Sequence, residues 1–374
     1  KLTTGKEDSG ALSPARIKKK TTIGGQALIE GIMMRGPKRI SMAVRDPSHQ
    51  MVVETWDCDM SGKPKFFRWP FFRGVFGFVD SMRYGYRCLM RSAEIAGLDD
   101  AENEKKEKKT ERRDNGLQAA EAVKPAAEKS QEAQAAAVSP EDKTDQNREK
   151  ASDGRMTAVM IIATVLGFVL ALVLFKVLPE TLYELLKKFF PALSGSGYRY
   201  QLIRSLFVGI LKIAILIGYL VFVTLLRDIR RTFAYHGAEH KTVACYEAGL
   251  ELTVENARAQ KRFHPRCGTS FLILILLVSI IITMFIPANL SENGTLNVIL
   301  RSLIGISLLP VMMSLGYELI RIAGKRDNLL IRIISAPGLW LQRITTKEPD
   351  DDMLECAIVA LKNVIPGDRS DDWK

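Results

Sequence analysis

Residues 227–270 read RDIRRTFAYHGAEHKTVACYEAGLELTVENARAQKRFHPRCGTS and lie between two strongly apolar stretches of the chain. The chain has 374 residues but only 4 histidines, and three of them, His236, His240 and His264, lie in this stretch. Cys267 comes three positions after the last of these histidines. This concentration of imidazole and thiol groups makes the stretch the first candidate for a functional site.

The spacing of these groups predicts a metal site. His236 and His240 are four residues apart, which places both imidazoles on one face of a helix. With Glu239 between them they have the H-x-x-E-H order of an inverted zinc-peptidase motif. His264 and Cys267 add an H-x-x-C turn, and imidazole and thiolate groups together suit tetrahedral zinc. We therefore predict that Zn²⁺ or another divalent metal binds here. The alternative is that these side chains only pack on a helix surface and in a loop.

Three glutamates could also contribute to the site, as ligands or as a catalytic group. Glu247 lies two helical turns beyond His240 on the same face, so it is a candidate additional ligand. Glu239 is the candidate catalytic residue, either as a general base toward water or as a group that only orients a histidine. Glu30 could approach the site only through tertiary folding. If Cys267 joins all three histidines, the coordination is closed and structural, whereas a vacant fourth position would permit hydrolysis.

The distribution of apolar residues predicts a multi-pass membrane protein. Hydrophobic residues make up 47% of the chain, and they concentrate in four runs. Each run has roughly 18 residues or more, which is the length needed to cross a hydrocarbon core of ~30 Å. We therefore predict an α-helical membrane protein with four transmembrane helices, a small cytoplasmic α+β module and interfacial helices. The four runs are Met156–Leu178, Leu202–Leu226, Thr269–Ile286 and Leu296–Ile322.

The basic residues predict the orientation of these spans. Residues 227–266 carry eight Lys and Arg residues, whereas residues 287–297 carry none. The loop at 179–201 carries Lys187, Lys188 and Arg199 against this pattern, but four crossings require it to lie outside. Since basic loops stay on the cytoplasmic side, we place the loop at 227–270 and both termini in the cytoplasm. The net charge of +11 is then explained by topology and by contact with membrane lipids, so we predict no specific nucleic acid. The 5 cysteines fall on the cytoplasmic side or at the interface, where no structural disulfide is expected.

Composition divides the chain into five predicted segments. Residues 1–20 form a disordered basic tail, and residues 98–154 form a disordered charged linker that has too little apolar surface to offset its ordering entropy. Residues 21–97 form an N-terminal cytoplasmic module. Residues 155–345 form the four-helix membrane module, and residues 346–374 form a cytoplasmic C-terminal tail.

The N-terminal module is predicted to contain a β-hairpin and a helix. Arg39–Arg45 and Met51–Trp56 are the predicted strands, and a turn-rich connection joins them. Phe66–Ala96 interleaves aromatic and arginine residues, which is typical either of a helix in the membrane interface or of one packed on its own cytoplasmic domain. Asn328–Thr345 is too interrupted to span and is predicted to be interfacial.

Some charged residues fall inside the apolar runs. We expect Arg204 and Lys212 to extend to the outer headgroups, because long basic side chains can keep their charge in water. Glu318 lies near the membrane boundary, where an acidic residue can have a functional role. The expectation is that it pairs with Arg321 one helical turn away.

Four blocks of the sequence resemble the YqhQ-like family. The blocks are GGQALIEGIMMRGP (24–37), YHGAEHKTVACYE (235–247), LTVENA (252–257) and RFHPRCGTSF (262–271). The resemblance implies a bacterial multi-pass protein of the cell membrane, in a family of unassigned function described as predicted metal-dependent enzymes. The motif positions that match are Glu30, His236, Glu239, His240, Glu247, His264 and Cys267.

Two functional hypotheses follow. The first is a membrane-embedded metal-dependent hydrolase with a cytoplasm-facing site, acting on a lipid headgroup, a peptide or a nucleotide. The second is a non-enzymatic scaffold, in which a structural metal stabilises the cytoplasmic domain. Such a scaffold would dock a partner such as a ribosome, a translocon or an anionic membrane.

Overall fold

A computed structural model describes residues 20–58, 64–97, 162, 165–193, 195, 197–325, 328–368 and 370–372. The chain divides into one compact unit of residues 1–98 and 180–374 and a second unit of residues 99–179. Residues 1–19 of the predicted tail and residues 98–154 of the predicted linker lie outside the described residues. In the second unit the description covers residues 162 and 165–179.

The described elements are four strands and a series of helices. The strands are β1 (Gly24–Leu28), β2 (Gly31–Arg35), β3 (Arg39–Arg45) and β4 (Met51–Asp57). The helices are α1 (Phe72–Ile95), α2 (Val165–Phe189, with a π-helical turn at Val173–Val177), α3 (Tyr198–Val223), α4 (Arg227–Glu247), α5 (Val254–Arg258), α6 (Gly268–Thr283), α7 (Gly294–Ser307), α8 (Leu309–Lys325), α9 (Leu329–Thr345) and α10 (Asp351–Lys362). Short 3₁₀ turns cover Lys65–Arg68 and Pro191–Leu193.

The strands form one antiparallel sheet in the order β1-β2-β3-β4. The predicted hairpin is confirmed as β3 and β4, and the block at 24–37 forms a second hairpin. Both faces of the sheet are apolar, because Ile32 pairs with Ala43 on one face while Met33 pairs with Met42 on the other. A sheet with two apolar faces needs helices on both sides.

Helix α1 covers one face of the sheet. Its residues Cys88 and Leu89 pack with Ile40 and Met42 in a single hydrophobic cluster. The first turn of α1 packs against α8, where Gly74 faces Ser314 and Tyr317. The aromatic and basic segment therefore packs on the protein itself, which is one of the two arrangements that the sequence left open.

Helices α4, α5 and α10 cover the other face. Tyr235 and Ala238 of α4, Leu354 and Leu361 of α10, and Ile32 of the sheet are fully buried in one cluster. Helix α10 begins where the Asp350 side chain accepts a hydrogen bond from Met353 N at 2.9 Å. The segment predicted to be a C-terminal tail is thus a central part of the core. Apolar packing therefore holds α4, α5 and α10 against the sheet.

Shortening a buried side chain of α10 tests this role. We expect Leu354→Ala to lower the free energy of unfolding by about 2–5 kcal/mol, because it removes buried methyl groups and leaves a cavity. Lys362→Ala on the same helix removes an exposed side chain and should change stability by less than about 0.5 kcal/mol. Denaturant unfolding followed by circular dichroism measures both. Equal effects of the two changes would contradict a core position for α10.

The apolar helices could provide two or three membrane spans. Helices α2 and α3 are each long and apolar enough to cross a membrane, and α7 with α8 adds a third if this pair, bent by 48°, is one span. Helix α6 has 16 residues, which is shorter than the ~20 needed for a full crossing. The structure therefore supports a membrane protein, but four transmembrane helices stay a prediction.

Two expectations about charged residues were wrong. Arg204 and Lys212 are buried among the helices and do not extend outward. Glu318 forms a bidentate ion pair with Arg73 of α1, at 2.6 Å from Nε and 2.5 Å from Nη2, and does not pair with Arg321 among the described residues. Both results come from contacts between segments far apart in sequence.

Candidate metal centre

Helix α4 presents the motif residues toward the interior. His240 and Glu239 are buried, and His236 is half-buried on the same side of the helix. Gly237 lies between them, where a Cβ atom would overlap the backbone carbonyl of Lys347. Glycine at this position therefore lets the chain that follows α9 pass directly over the motif.

Three side chains converge at one point. The ligand atoms of His236, His240 and Cys267 all lie within 4.8 Å of one another. Nε2 of His236 is 3.1 Å from Sγ of Cys267, and the two imidazole centroids are 4.5 Å apart. Cys267 is the N-cap of α6, and its sulfur accepts a hydrogen bond from Thr269 N at 3.4 Å. A helix N-terminus stabilises a thiolate at this position.

Backbone carbonyls fix how both imidazoles are oriented. Nδ1 of His236 donates to the carbonyl oxygen of Thr345 at 2.9 Å, and Nδ1 of His240 donates to that of Arg262 at 2.6 Å. A carbonyl can only accept, so Nδ1 must carry the proton in each ring. Nε2 of each ring then faces the cluster, which is the arrangement found where a histidine binds a metal.

The donor set fits a divalent ion. Nε2 of His240 is buried and has no hydrogen-bond partner among the described residues. An unpaired buried nitrogen is costly, and a cation would satisfy it. Two imidazoles and one thiolate suit zinc, whose tetrahedral donors lie about 3.5 Å apart at bond lengths of ~2.0–2.3 Å. The spread of 4.8 Å therefore requires the side chains to draw together slightly on binding.

The electrostatics favour a deprotonated sulfur. Burial raises the pKa of Cys267, but the nearby His236 and His240 imidazoles outweigh burial and bring that pKa well below its usual value. Burial lowers the pKa of His236, but the Cys267 thiolate and the Glu239 carboxylate outweigh it and raise the pKa to about 9. Without a metal, the site therefore holds a thiolate beside an imidazolium.

This charge state predicts how metal affinity depends on pH. Below the His236 pKa of about 9, a proton must leave Nε2 before the ring can bind a metal. Cys267 has already lost its proton, so its ionisation does not add to the slope of zinc affinity against pH. Zinc affinity should therefore rise about tenfold per pH unit and level off near pH 9. Chelator competition between about pH 6.5 and 8.5 measures it. A flat profile would contradict a role for His236 as ligand.

Glu239 lies beside the three donors without belonging to them. Its Oε1 accepts a hydrogen bond from Gly25 N at 2.9 Å, and its Oε2 is 3.9 Å from Nε2 of His236. A Cβ atom on Gly25 would lie 2.9 Å from Cγ of Glu239 and 2.6 Å from the carbonyl oxygen of Met33. Strand β1 can approach α4 this closely only because residue 25 is glycine.

The other two predicted ligands form a separate cluster. Nε2 of His264 is 3.4 Å from Oε2 of Glu247 and 3.2 Å from Nη2 of Arg266, which also pairs with Glu247. Burial raises the pKa of Glu247, but its bonds to His264 and the charge of Arg266 lower it below the usual value. The His264 ring centroid lies 5.7 Å from that of His240. The two clusters are neighbours, but His264 and Glu247 are not among the three converging donors.

Several contributors to the site carried no sequence signal. The carbonyls of Thr345 and Arg262 act through the backbone, which any residue provides. Gln342 of α9 holds both the N–H and the carbonyl of His264, at 2.8 and 2.7 Å, and its polarity in an apolar stretch was the only clue. Glu30 is bound by Arg231 and Tyr235, so it lies outside the converging group.

The described residues show the class of protein to which the chain belongs. They form a mostly helical protein with two to three helices that could span a membrane, a small antiparallel sheet, and a buried His-His-Cys group on α4 and at the start of α6. The chain belongs to the family described as "Protein of unknown function (DUF1385)", whose model matches residues 69–366. It is 29% identical over 346 residues to "Uncharacterized protein YqhQ" of Bacillus subtilis (strain 168), which covers 91% of this chain and 92% of that protein. No solved structure matches the chain.

The comparisons confirm the resemblance to a YqhQ-like family. Neither the family nor this relative is described by an activity, a substrate or a partner. Function must therefore come from the chemistry of the site.

Proposed function

We propose that the chain is a membrane-embedded metal-dependent hydrolase whose divalent ion, most suitably zinc, is held by His236, His240 and Cys267. The proposal depends on the convergence of three donors, and of no fourth protein donor from the described part of the chain, at one point of the site. Three donors converge, Nε2 of His240 has no partner among the described residues, and His264 is engaged by Glu247, so a tetrahedral ion would keep its fourth position for water or substrate. A three-ligand set with an open position is typical of catalytic zinc sites.

The protein groups have distinct roles in this proposal. A bound ion would supply Lewis acidity and lower the pKa of a water molecule to roughly 7. Glu239 would act as the general base, because the Gly25 amide holds Oε1 while Oε2 faces the donors. The carbonyls of Thr345 and Arg262 keep both imidazoles in the tautomer that binds. The substrate class stays open among a lipid headgroup, a peptide and a nucleotide.

We place the site at the cytoplasmic face of a multi-pass protein. Eight basic residues between 227 and 266, and none between 287 and 297, support this orientation. In the proposed topology α2, α3, α6 and the α7–α8 pair cross the bilayer, and both termini are cytoplasmic. A reporter fused after residue 374 tests this arrangement. Fluorescence of a cytoplasm-dependent reporter is expected, and activity of a periplasm-dependent one would contradict the topology.

A structural metal in a non-enzymatic scaffold is the second candidate. It is favoured by burial, since Cys267 and His240 are 6% and 2% exposed. In that case the metal would only stabilise the domain, and the basic cytoplasmic face would dock a ribosome, a translocon or an anionic membrane. Removing the Glu239 carboxylate would then leave function unchanged.

Hydrolysis by the purified full chain tests the enzyme proposal. Zinc-loaded and chelator-stripped protein should be compared on two probes, p-nitrophenyl acetate and bis(p-nitrophenyl) phosphate. The proposal expects zinc-dependent turnover of at least one probe, restored when zinc is added back. If neither probe is cleaved while zinc stays bound and the protein stays folded, the structural role is supported instead.

A further inference from the structure

A second cluster of charges is buried where α2, α3 and α7 meet, and it shares no residue with the candidate metal centre. Its members Glu180, Arg204, Lys212 and Arg301 are 3%, 1%, 5% and 4% exposed. Among the described residues, α2 and α3 are the two single helices long and apolar enough to cross a membrane. Charged side chains inside such helices are rare and usually mark a functional site.

Glu180 is at the centre of the cluster. Its Oε2 lies 2.7 Å from Nη2 of Arg204 and 3.5 Å from Nε of Arg301. Nη1 of Arg204 contacts Oε1 of Glu184 at 2.6 Å. Lys212 lies eight residues after Arg204 on the same side of α3 and is also buried. One buried carboxylate therefore contacts two cations, and a third cation lies about two helical turns along α3.

The positive charges are not fully balanced. Glu184 is the second carboxylate, but it also accepts from Lys187 at 3.0 Å, so its charge is shared. Nε of Arg301 is buried without a hydrogen bond, while its Nη1 donates to the carbonyl oxygens of Ile286 and Pro287. Lys212 makes no hydrogen bond or ion pair within the part of the chain that the structure describes. Excess positive charge in a low-dielectric interior is strongly unfavourable unless an anion neutralises it.

We propose that this cluster binds the phosphate group of an anionic ligand through Lys212 and Arg301. A planar guanidinium beside an ammonium group is well suited to a phosphate, since the guanidinium offers paired donors and the ammonium a compact charge. Lys212 is fourteen residues from the start of α3, or ~21 Å along the helix, so the bound group would lie deep among the helices.

The phosphate could belong to a lipid headgroup or to a soluble anion. A cavity of about 510 Å³ lies beside the cluster, and Glu184, Lys187 and Asn297 are among its lining residues. Asn297 also donates to Glu184 at 3.3 Å, so the cavity reaches the edge of the charged cluster. A soluble anion would approach from this side of the cluster, whereas a lipid would enter from between the helices.

Thermal stability of the purified full chain in detergent tests the proposal. Dioleoylphosphatidylglycerol, dioleoylphosphatidylcholine and inorganic phosphate are titrated separately, and the melting temperature is followed by intrinsic fluorescence. Phosphatidylglycerol or inorganic phosphate should raise the melting temperature saturably, and phosphatidylcholine should not. A response to phosphatidylglycerol alone identifies a lipid, and a response to inorganic phosphate identifies a soluble ligand.

Two variants distinguish anion binding at this cluster from attraction to the positive charge of the surface. Lys212→Gln should weaken binding by more than about tenfold, because it removes one of the two binding groups. Lys188→Gln removes an exposed lysine of α2 and should bind like the wild type. If neither anion stabilises the wild type, or if the two variants weaken binding equally, the proposal is overturned. If Lys212→Gln does not fold, Lys212→Arg keeps the charge and must retain binding.

Discussion

Glu239→Gln is expected to lower the hydrolysis rate of the zinc-loaded protein by about 10²–10⁴-fold while bound zinc stays unchanged. Glutamine fills the same volume, and its carbonyl oxygen can still accept the hydrogen bond from Gly25. Glutamine cannot take up a proton, so the substitution should lower the hydrolysis rate without lowering the stability of the fold. Initial rates on p-nitrophenyl acetate and metal analysis of the same samples measure the two quantities.

Glu255→Gln is the matched control for this change. Glu255 is exposed on α5, so its substitution removes the same charge without touching the site. A wild-type rate in Glu239→Gln would show that Glu239 is not the base and would favour the scaffold. Loss of zinc together with the rate would show instead that Glu239 supports the geometry of the donors.

His240→Ala should lower zinc affinity by more than about 100-fold, whereas His264→Ala should lower it by about tenfold or less. The reason is positional. His240 presents a buried Nε2 with no partner among the described residues, while Nε2 of His264 faces Glu247 and Arg266. Competition with a chelating dye measures both affinities at one pH.

The fourth histidine supplies the control for this comparison. His49 is an exposed turn residue with φ 62°, so His49→Ala should leave zinc affinity at the wild-type value. Equal losses in His240→Ala and His264→Ala would mean that His264 is a fourth ligand. The coordination would then be closed, and the structural role would replace the catalytic one.

Local sequence was enough to single out the three residues that converge in the candidate site. The four-residue spacing of His236 and His240 places both rings on one side of α4, and the turn before Cys267 brings its sulfur to the start of α6. The hairpin of β3 and β4 was equally visible, because a turn-rich connection joins two short β-prone segments. Each of these features depends on contacts within a few residues.

Features that depend on distant partners could not be predicted. Glu247 has the right spacing for a ligand, but Arg266 and Thr21 both donate to its Oε1 and His264 faces its Oε2. Nothing local in the sequence shows these competing contacts. Helix α10 has an apolar face whose sheet partner lies about three hundred residues earlier in the chain. Arg204 was expected at the surface because its carboxylate partner Glu180 belongs to another helix.

The number of transmembrane helices could not be read from the apolar runs, because helix ends and breaks within a run change the count. The apolar run at Thr269–Ile286 is near the threshold length, and the helix within it ends at Thr283. The run at Leu296–Ile322 is interrupted at Leu308, where α7 ends and α8 begins with Pro310 in its first turn. Hydropathy alone does not show such a break, but the proline at position 310 predicts a kink in this run.

X-ray absorption at the zinc edge of the wild-type protein tests the central claim most directly. The claim predicts one sulfur at ~2.3 Å and two imidazole nitrogens at ~2.0–2.1 Å, with the remaining coordination filled by a light oxygen or nitrogen atom from solvent. A zinc spectrum without sulfur, or purified protein that binds no divalent metal at all, would contradict convergence of His236, His240 and Cys267 on one ion.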